Sequence, residues 1–395
     1  MTKKLLFLTP TLPYPPVSGG VIKSNKTVRF LAEHCSVSVA CFLKNDDNLY
    51  RDEFLRSLNL ENDYMEELNI PRSAKNLILS NLKGIPLNLY RNASASFAKK
   101  IKAWIHDFDV VFCDHYVMFQ YIPDDFRGKI VLHEHNCEYL IWQRYADVEP
   151  RFFKRLALLN QAWRIKNYER QICNRSDAIL AAPNDTDELV KIGADRSKFF
   201  ETYHLGDDAT LALPDLQFAQ TEKALLYIGT LSWEANIDGL LWFYREVWGK
   251  LVTQEPDLKL YIIGKHADKR LLALQALDTR IILTGFVEDL EPYFQKCRVF
   301  ITPLRFGSGI KVKVVNSLYR GIPCVTTSIG VEGLKVTDGK DIIVRDNARQ
   351  QADAIIELLH NKAQWESISK NARTLAEEFY TWDAVLENIQ KAVES

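Results

Sequence analysis

Alternation of short apolar runs with helical patterns constrains the fold of this 395-residue chain more than any other feature. Such alternation is typical of parallel sheets covered by helices, because parallel strands need long, usually helical, crossovers. It predicts strands at KLLFLTP, SVSVACFL, DVVFCDH, KIVLHEH, DAILAAP, KALLYIGT, KLYIIGK, RIILTGF, RVFITPL, PCVTT and DIIVRD. No short repeat is present, which excludes solenoids and propellers. The chain is therefore expected to be an α/β protein.

A stretch without clear periodicity divides the chain into two halves. It runs through YHLGDDATLALPDLQFAQTEK, and its glycine, aspartates and proline are typical of a linker. We predict two doubly wound, Rossmann-like domains that face each other across a cleft, because a chain of this length holds about two domains. The predicted divisions are a first domain at 1–205, a linker or hinge at 206–222, a second domain at 223–372 and a helix at 373–395. Ligands of such sheets bind at the carboxyl ends of the strands.

Composition excludes several classes of protein. The net charge of −1 gives no support for a nucleic-acid partner, and no apolar run approaches the roughly 18 residues of a membrane span. The start, MTKKLLFLTPTLP, is interpreted as a strand and not as a signal peptide, because Pro10 and Pro13 end its apolar run. Seven scattered cysteines without a CxxC pair indicate reduced thiols in a cytoplasm.

Positive charge is concentrated in the first half of the chain. Residues 1–200 carry 28 basic against 24 acidic residues, whereas the remainder carries 22 against 27. The excess is sharpest in RFFKRLALLNQAWRIKNYERQ, where six basic residues accompany one acid, Glu169. This segment is either a solvated helix face or a surface attracted to anionic lipid. We keep both interpretations, and the second predicts peripheral membrane contact through residues 151–175.

Two strand-end loops of the first half carry candidate ligand groups. Gly19 and Gly20 follow the first strand and open a helix, with Lys23 just inside it. Paired glycines suit either a simple turn or close approach of a ligand to free helix amides. The pattern is not GxGxxG, so a dinucleotide fingerprint is absent.

Histidines lie at the ends of two successive strands, in VFCDHYV and HEHNCEY. We expect His133 to be satisfied by a backbone carbonyl, whereas His135 is placed to meet a substrate hydroxyl or phosphate. His115 lies at the corresponding end of the preceding strand, so it and His135 are expected to line one wall of the cleft, with Glu138 shortly after them. The His-x-His spacing lacks a convincing third ligand, so no metal site is expected.

The second half carries three further strand-end loops. In IGTLSWEANIDGL, Asn236 or Asp238 is expected to cap a helix. In TGFVEDLEPYF, the exposed backbone of Phe286 and Val287 can hold a flat base or form a plain turn.

The loop RFGSGIKVKVVN places Lys311 and Lys313 at a helix N-terminus, where cations are normally unfavourable. A diphosphate bound on the amides of Gly307, Ser308 and Gly309 removes that conflict. Arg305 can add a bidentate contact to it. We therefore predict an anion site here.

Together these loops resemble the family 4 branch of retaining GT-B glycosyltransferases, over the whole chain. The motifs that carry the resemblance are the first glycine pair, GTLSWEAN, TGFVEDLEPYF, PLRFGSGIKVKVV and RGIPCVTTSIGVEGL, in this order and spacing. The resemblance implies a nucleoside diphosphate sugar of the UDP or GDP type as donor and a glycan or lipid-linked acceptor. It implies no metal and no other cofactor, and it favours an enzyme at the inner face of a membrane that makes cell-surface polysaccharide.

The resemblance also assigns roles to individual residues. His135 matches the active-site histidine that contacts the donor sugar and its phosphate. Together with the residues inferred from the loops above, the predicted donor-binding residues, in a second domain that binds the nucleotide sugar, are Gly20, Ser232, Phe286, Val287, Arg305, Gly307, Ser308, Gly309, Ile310, Lys311, Lys313, Asn316 and Glu332. The predicted acceptor-binding residues are Gly19, Lys23, His115 and Glu138, in a first domain that binds the acceptor and to which the helix at 373–395 returns.

Two departures from the family pattern affect the donor site. Members often carry two glutamates separated by seven residues, at positions that are Ser308 and Asn316 here. The usual basic residues of the first C-domain loop are also replaced, by Thr230 and residues near Asn236. We expect Arg305, Lys311 and Lys313 to supply that charge from the other side. The alternatives are a degenerate GT-B scaffold subunit and a nucleotide-sugar epimerase of the same fold.

Overall fold

The structure is a computed structural model that describes residues 2–17, 19–203, 205–307 and 309–395, without the side chains of residues 19, 74 and 384. It divides into two compact units. The first unit comprises Met1–His204 and Asp383–Ser395, and the second comprises Leu205–Trp382.

The first unit is built on a parallel sheet in which seven strands are described, in the order β3-β2-β1-β4-β5-β6-β7. Its strands are β1 Lys4–Thr9, β2 Ser36–Leu43, β3 Asn62–Glu67, β4 Val110–Asp114, β5 Lys129–His133, β6 Ala178–Ala181 and β7 Phe199–Glu201. Its helices are α1 Gly19–His34, α2 Arg51–Arg56, α3 Ala74–Leu82, α4 Leu87–Arg91, α5 Ala95–Trp104, α6 Glu138–Val148, α7 Phe152–Arg175 and α8 Pro183–Lys191.

The second unit has a parallel sheet with six strands in the described ranges, in the order β10-β9-β8-β11-β12-β13. Its strands are β8 Glu222–Ile228, β9 Lys259–Ile263, β10 Ile281–Gly285, β11 Cys297–Thr302, β12 Cys324–Thr326 and β13 Ile343–Val344. Its helices are α9 Glu234–Phe243, α10 Gly249–Gln254, α11 Lys269–Leu277, α12 Glu291–Lys296, α13 Val312–Arg320, α14 Ala348–His360 and α15 Lys362–Phe379. The last helix, α16, is Trp382–Glu394.

These two sheets confirm the predicted α/β class, and every predicted strand is present. Central strands such as β1 and β4 are buried almost throughout, since helices cover both faces of a parallel sheet. The two strands that the pattern did not predict, β3 and β7, are the edges of the first sheet. Their residues are largely half-buried or exposed, so they lack the apolar run that marked the others.

The predicted linker lies inside the second unit. Leu216 is buried in that unit's core, and Arg373 donates to the carbonyls of Leu211 and Leu213 at 2.5 and 3.0 Å. These bonds hold the 205–222 segment and α15 together. The second unit therefore extends to Trp382, beyond the boundary predicted at 373.

None of the helices in the described ranges is both long and apolar enough to cross a bilayer.

Candidate functional site

In the first unit, three side chains meet at the carboxyl ends of β4 and β5. Asp114 pairs with His133 in the strand register, and His135 follows two residues later. Asp114 Oδ1 accepts a hydrogen bond from His133 Nδ1 at 2.8 Å and another from His135 Nε2 at 2.8 Å. All three side chains are buried. His133 is thus satisfied by a carboxylate, and the expectation of a backbone carbonyl was wrong.

The shared carboxylate oxygen fixes the protons on both rings. A carboxylate has no hydrogen to donate, so the ring nitrogen that faces Asp114 must be the protonated one. For His135 this leaves Nδ1 on the opposite side of the ring, next to the glycine loop: a β-carbon added to Gly20 would lie 3.8 Å from it. The structure therefore brings together two predicted site residues, Gly20 and His135, that are distant in sequence.

Electrostatics keep Asp114 ionised. Burial by itself would raise its pKa, but His135 and His133 hold that pKa well below the usual range. Burial, Lys23 and His135 together lower the pKa of His133 well below normal. The cluster is thus a carboxylate between two imidazoles, with a lysine nearby.

Lys23 is turned into the protein and not towards solvent. It is 1% exposed, and burial lowers its pKa to about 7 against the opposing charges of Asp114 and Asp185. A contact between Lys23 and an acceptor, as predicted, is not available in this structure. The reason is that α1 packs on the sheet through the side that carries Lys23.

The expectation that the two histidines lack a third potential metal ligand was wrong. A third potential ligand exists, Asp114, and one ligand atom from each of Asp114, His133 and His135 lies within 4.8 Å of the others. The sequence pattern missed it because the aspartate comes from the neighbouring strand. Hydrogen bonds already satisfy the two nitrogens that face the carboxylate.

Two other acceptor candidates, His115 and Glu138, follow the carboxyl ends of β4 and β5. The His115 ring centroid is 5.4 Å from that of His135, and its backbone has a φ of 120°. Burial and His135 lower the pKa of His115 to about 3, so this ring is neutral. Glu138 begins α6, and burial raises its pKa to about 7. Gly19 is the first residue of α1.

In the second unit, Lys313 extends from α13 to the loop that follows β8. Its Nζ donates to the Tyr227 hydroxyl at 2.8 Å and to Asn236 Oδ1 at 2.7 Å. It lies so close to Gly229 that a β-carbon there would be 2.8 Å from it. Among the described residues no carboxylate pairs with this ammonium. Burial and the charge of Lys311 lower its pKa to about 7.

Lys311 is the N-cap residue of α13, one position earlier than the first turn. Its Nζ donates to the Gly309 carbonyl at 2.6 Å and lies 3.5 Å from Glu332 Oε2. Gly307 and Gly309 have φ values of 142° and 70°, which favour glycine. Ile310 between them and the helix is buried. Ser308 lies outside the described residues.

Arg305 departs from its predicted role. It makes two hydrogen bonds to Asp238, at 2.5 and 2.8 Å, and this carboxylate raises the pKa of Arg305. Its guanidinium is already neutralised, so contact with a diphosphate would require breaking the ion pair. Asp238 and Asn236 also do not cap α9, because the cap residue is Trp233. Asn236 instead donates from Nδ2 to the Thr230 carbonyl at 2.9 Å.

The remaining donor candidates are more dispersed. Phe286 is half exposed, and Lys265 Nζ lies 4.0 Å from its ring centroid. Val287 packs against the core, and Ser232 is exposed in the loop before α9. The Asn316 carboxamide faces the former linker: a β-carbon on Gly206 would be 1.7 Å from its Oδ1.

Sequence reasoning missed three residues that the structure places at these sites. They are Asp114, Tyr227 and Lys265. A signal existed for Asp114, since it stands beside His115 at a strand end. Tyr227 gave none, because an aromatic residue in an apolar strand is ordinarily core.

Known proteins are similar to this chain in sequence or in fold. Residues 222–361 match the profile of glycosyl transferases group 1. A curated relative, described as an uncharacterized 44.6 kDa protein in the cps region of Klebsiella pneumoniae, is 22% identical over 98% of this chain and 99% of its own length. HepE of Anabaena, solved with UDP-glucose, superposes with a TM-score of 0.67 at 14% identity, covering 99% of each chain. S. aureus TarM, solved with fondaparinux, α-GlcNAc-glycerol and UDP, has a TM-score of 0.67 at 12% identity, covering 100% of each.

The matched profile covers the strand and helices around Lys313, and the superposed structures cover both units. Residues 222–361 therefore resemble group 1 glycosyl transferases, and the whole chain shares the predicted GT-B fold with HepE and TarM.

Proposed function

We propose that this chain is a glycosyltransferase that moves a sugar from a nucleoside diphosphate sugar, of the UDP or GDP type, to a glycan or lipid-linked acceptor. The observation that carries the proposal is the surroundings of Lys313. Its ammonium has neutral hydrogen-bond partners and no carboxylate among the described residues, at the carboxyl edge of the second sheet. A cation withdrawn from water without a counter-ion is costly, and a bound diphosphate would offset that cost.

Neighbouring groups suit the same ligand. Lys311 lies at the N-terminus of α13, where backbone amides point outward and favour anions. Gly307 and Gly309 keep the preceding loop free of side chains that would block a phosphate. Phe286, half exposed at the end of β10, offers a surface for a base.

The relatives support the choice of donor and of pathway. HepE and TarM were solved with UDP or a UDP-sugar, and the Klebsiella relative is encoded in a cps region. We infer that the present chain uses a similar donor in the synthesis of cell-surface polysaccharide. We further propose that Lys311 and Lys313 stabilise the leaving diphosphate, so that neither a divalent metal nor another cofactor is required.

We also propose transfer with retention of configuration. His135 would contact the donor sugar, and a diphosphate oxygen would accept the proton of the attacking hydroxyl on the same face. Exclusion of water around the donor would limit its hydrolysis.

Calorimetry with UDP, GDP and ADP in the presence of EDTA tests the donor class. We expect one uridine or guanosine diphosphate to bind, and binding by none of the three would contradict the proposal. NMR of the products with the matching nucleotide sugar then tests the reaction. A new glycosidic bond of unchanged anomeric configuration supports retention, whereas an epimerised nucleotide sugar would favour the epimerase.

His135→Ala should retain nucleotide binding and lose most turnover, since the ring contacts the sugar and not the base. Turnover close to that of the unmodified enzyme would remove His135 from the site. His106→Ala is a matched control, because His106 lies in the same unit beside the surface residue Asp125.

We propose, in addition, a cytoplasmic location with peripheral contact to the inner face of a membrane through residues 151–175. Helix α7 exposes five large apolar side chains: Phe152, Phe153, Leu156, Leu159 and Trp163. Its acid, Glu169, is buried, so the exposed face presents only apolar, neutral and basic groups.

Helix α3 extends the same surface. Gln161 and Arg164 of α7 bond to Asn81 and to the Ser80 carbonyl, at 3.4 and 3.5 Å, so the two helices are neighbours. Ile78 and Leu82 on α3 are 60% and 79% exposed, and that helix has no acid. Aromatic side chains bordered by basic residues favour the interface of an anionic bilayer.

Sedimentation with vesicles tests this surface. We expect binding to vesicles that contain phosphatidylglycerol, weaker binding to neutral vesicles, and loss of binding in Phe153→Ser/Trp163→Ser. Leu272→Ser is the control, since Leu272 is an exposed apolar residue of the second unit. Equal binding by the double variant would show that α7 is only a solvated face.

A further inference from the structure

We propose that Asp114 is a positioning residue that fixes the tautomer and orientation of His135. The inference rests on the proposed function, because it takes His135 as the imidazole that meets the donor sugar. Nothing in the resemblance assigned a role to Asp114. Its place follows from the two hydrogen bonds at the ends of β4 and β5.

The geometry gives Asp114 one task. Its Oδ1 accepts from both His133 and His135, whereas Oδ2 has no hydrogen-bond partner among the described residues. The carboxylate is 1% exposed, so water does not compete for it. The side-chain hydrogen bonds of Asp114 in the described residues are therefore those to His133 and His135.

This arrangement decides what His135 offers to a ligand. The tautomer that Asp114 selects carries its hydrogen on Nε2, so Nδ1, on the side of Gly20, is an acceptor and not a donor. With a donor sugar bound, it would accept a hydrogen bond from a sugar hydroxyl. Without Asp114 the ring would populate the other tautomer, which would direct an N–H at the same hydroxyl.

His133 completes the arrangement from the other side. It is fully buried, and its ring centroid lies 4.5 Å from that of His135. It holds the carboxylate in place through the same oxygen, and its own Nε2 has no hydrogen-bond partner among the described residues. His133 thus supports Asp114 but does not reach the glycine loop.

A double-mutant cycle separates positioning from general structure. Asp114→Asn should lower kcat by about 10- to 100-fold, by analogy with the loss of carboxylates that orient metal-binding histidines, with KM for the nucleotide sugar nearly unchanged. His135→Gln keeps a donor for Asp114 but lacks Nδ1. In that background Asp114→Asn should add less than about twofold, because the two changes remove one function. Independent, multiplying losses would overturn the proposal.

A second measurement does not depend on activity. Nitrogen-15 NMR of labelled imidazoles, assigned with His135→Gln and His133→Asn, reports the tautomer directly. We expect His135 protonated on Nε2 in the unmodified protein and a mixture of tautomers in Asp114→Asn. A hydrogen on Nδ1 in the unmodified protein would overturn the proposal, even if the enzyme transfers sugar. The expected tautomer in a protein without transferase activity would instead refute the proposed function alone.

His106→Asn is the control for both measurements. His106 belongs to the same unit but lies beside the surface residue Asp125, away from Asp114 and His135. We expect kcat within about threefold of the unmodified enzyme and an unchanged His135 tautomer. If Asp114→Asn fails to fold, Asp114→Glu, which keeps the charge but moves it, should give the same loss of kcat and the same mixed tautomer; normal values for both would overturn the proposal.

Discussion

Lys23 in the first unit and Lys313 in the second share a lowered pKa of about 7 in opposite surroundings. Lys23 lies in the field of two carboxylates of its own unit, Asp114 and Asp185. Lys313 meets the Tyr227 hydroxyl and the Asn236 amide, both neutral, and besides burial it is the like charge of Lys311 that lowers its pKa.

This difference indicates that Lys23 has a structural role and that Lys313 binds an anionic ligand. Where carboxylates of the protein already face a buried lysine, its charge is balanced without a ligand. Where they do not, the protein tolerates the cost of the charge until an anion arrives. The two lysines therefore have the same lowered pKa, but only Lys313 needs a ligand to balance its charge. Substitution of each lysine tests this difference.

The largest expected effect is on nucleotide affinity. Lys313→Met should weaken binding of the cognate nucleoside diphosphate by about 100-fold, or about 2.7 kcal/mol, since it removes a desolvated charge contact. Lys23→Met should change that affinity by less than about threefold. Titration calorimetry at pH 7 measures the affinity of both variants. Similar losses of affinity in the two would show that the two lysines do not differ in role.

The next effect is the pH dependence of that affinity. Free Lys313 loses its proton as pH rises through about 7, and the bound diphosphate favours the protonated form. Binding must then take up a proton, so affinity should fall between pH 7 and 9 by at most about tenfold per pH unit. Calorimetry in buffers of different ionisation enthalpy detects this uptake. The slope should persist in Lys23→Met, and its persistence in Lys313→Met would contradict the assignment.

A smaller effect is expected on stability, from the buried carboxyl group of Glu134 in the first unit. Both oxygens of Glu134 are buried without a hydrogen-bond partner among the described residues, and burial with Glu169 raises its pKa well above normal. A raised carboxyl pKa costs stability above the unfolded value of about 4.3, and the cost grows with pH up to the folded pKa. Glu134→Gln should therefore raise the free energy of unfolding by about 1–2 kcal/mol at pH 8, and less at pH 5.

Glu169→Gln is the control for this prediction. Glu169 accepts from the amides of Glu138 and Tyr139 at 2.6 and 3.1 Å, and a glutamine would direct its NH₂ at one of them. We expect it to lower stability in urea unfolding. A loss of stability in Glu134→Gln as well would show that the carboxyl of Glu134 has a partner in solution.

The smallest effect is expected at Arg305. Because Asp238 already neutralises its guanidinium, Arg305→Met should change nucleotide affinity by less than about threefold. Asp238→Asn in the same titration shows whether freeing the arginine increases affinity. A tenfold loss in Arg305→Met would mean that the ion pair exchanges for the diphosphate on binding.

The sequence predicted the central strands and the loops that carry the site, but not every partner. Apolar runs marked strands such as β1 and β8 because these are buried along their length. The polar edge strand β3 carried no such mark. The role of Arg305 was predicted wrongly because nothing in the local sequence indicates that Asp238, in α9, would pair with it.

The sequence by itself determined the local backbone conformations and the secondary structure. Glycines at 307 and 309 match positive φ values, and the alternation of strands and helices fixed two parallel sheets. The tertiary structure decided which charges have partners. Strand order brings Asp114 to His135, and the packing of α13 brings Lys313 to Asn236, across 21 and 77 residues. Counter-ions are set by such neighbours, because electrostatic energy depends on separation in space and on burial, and not on separation along the chain.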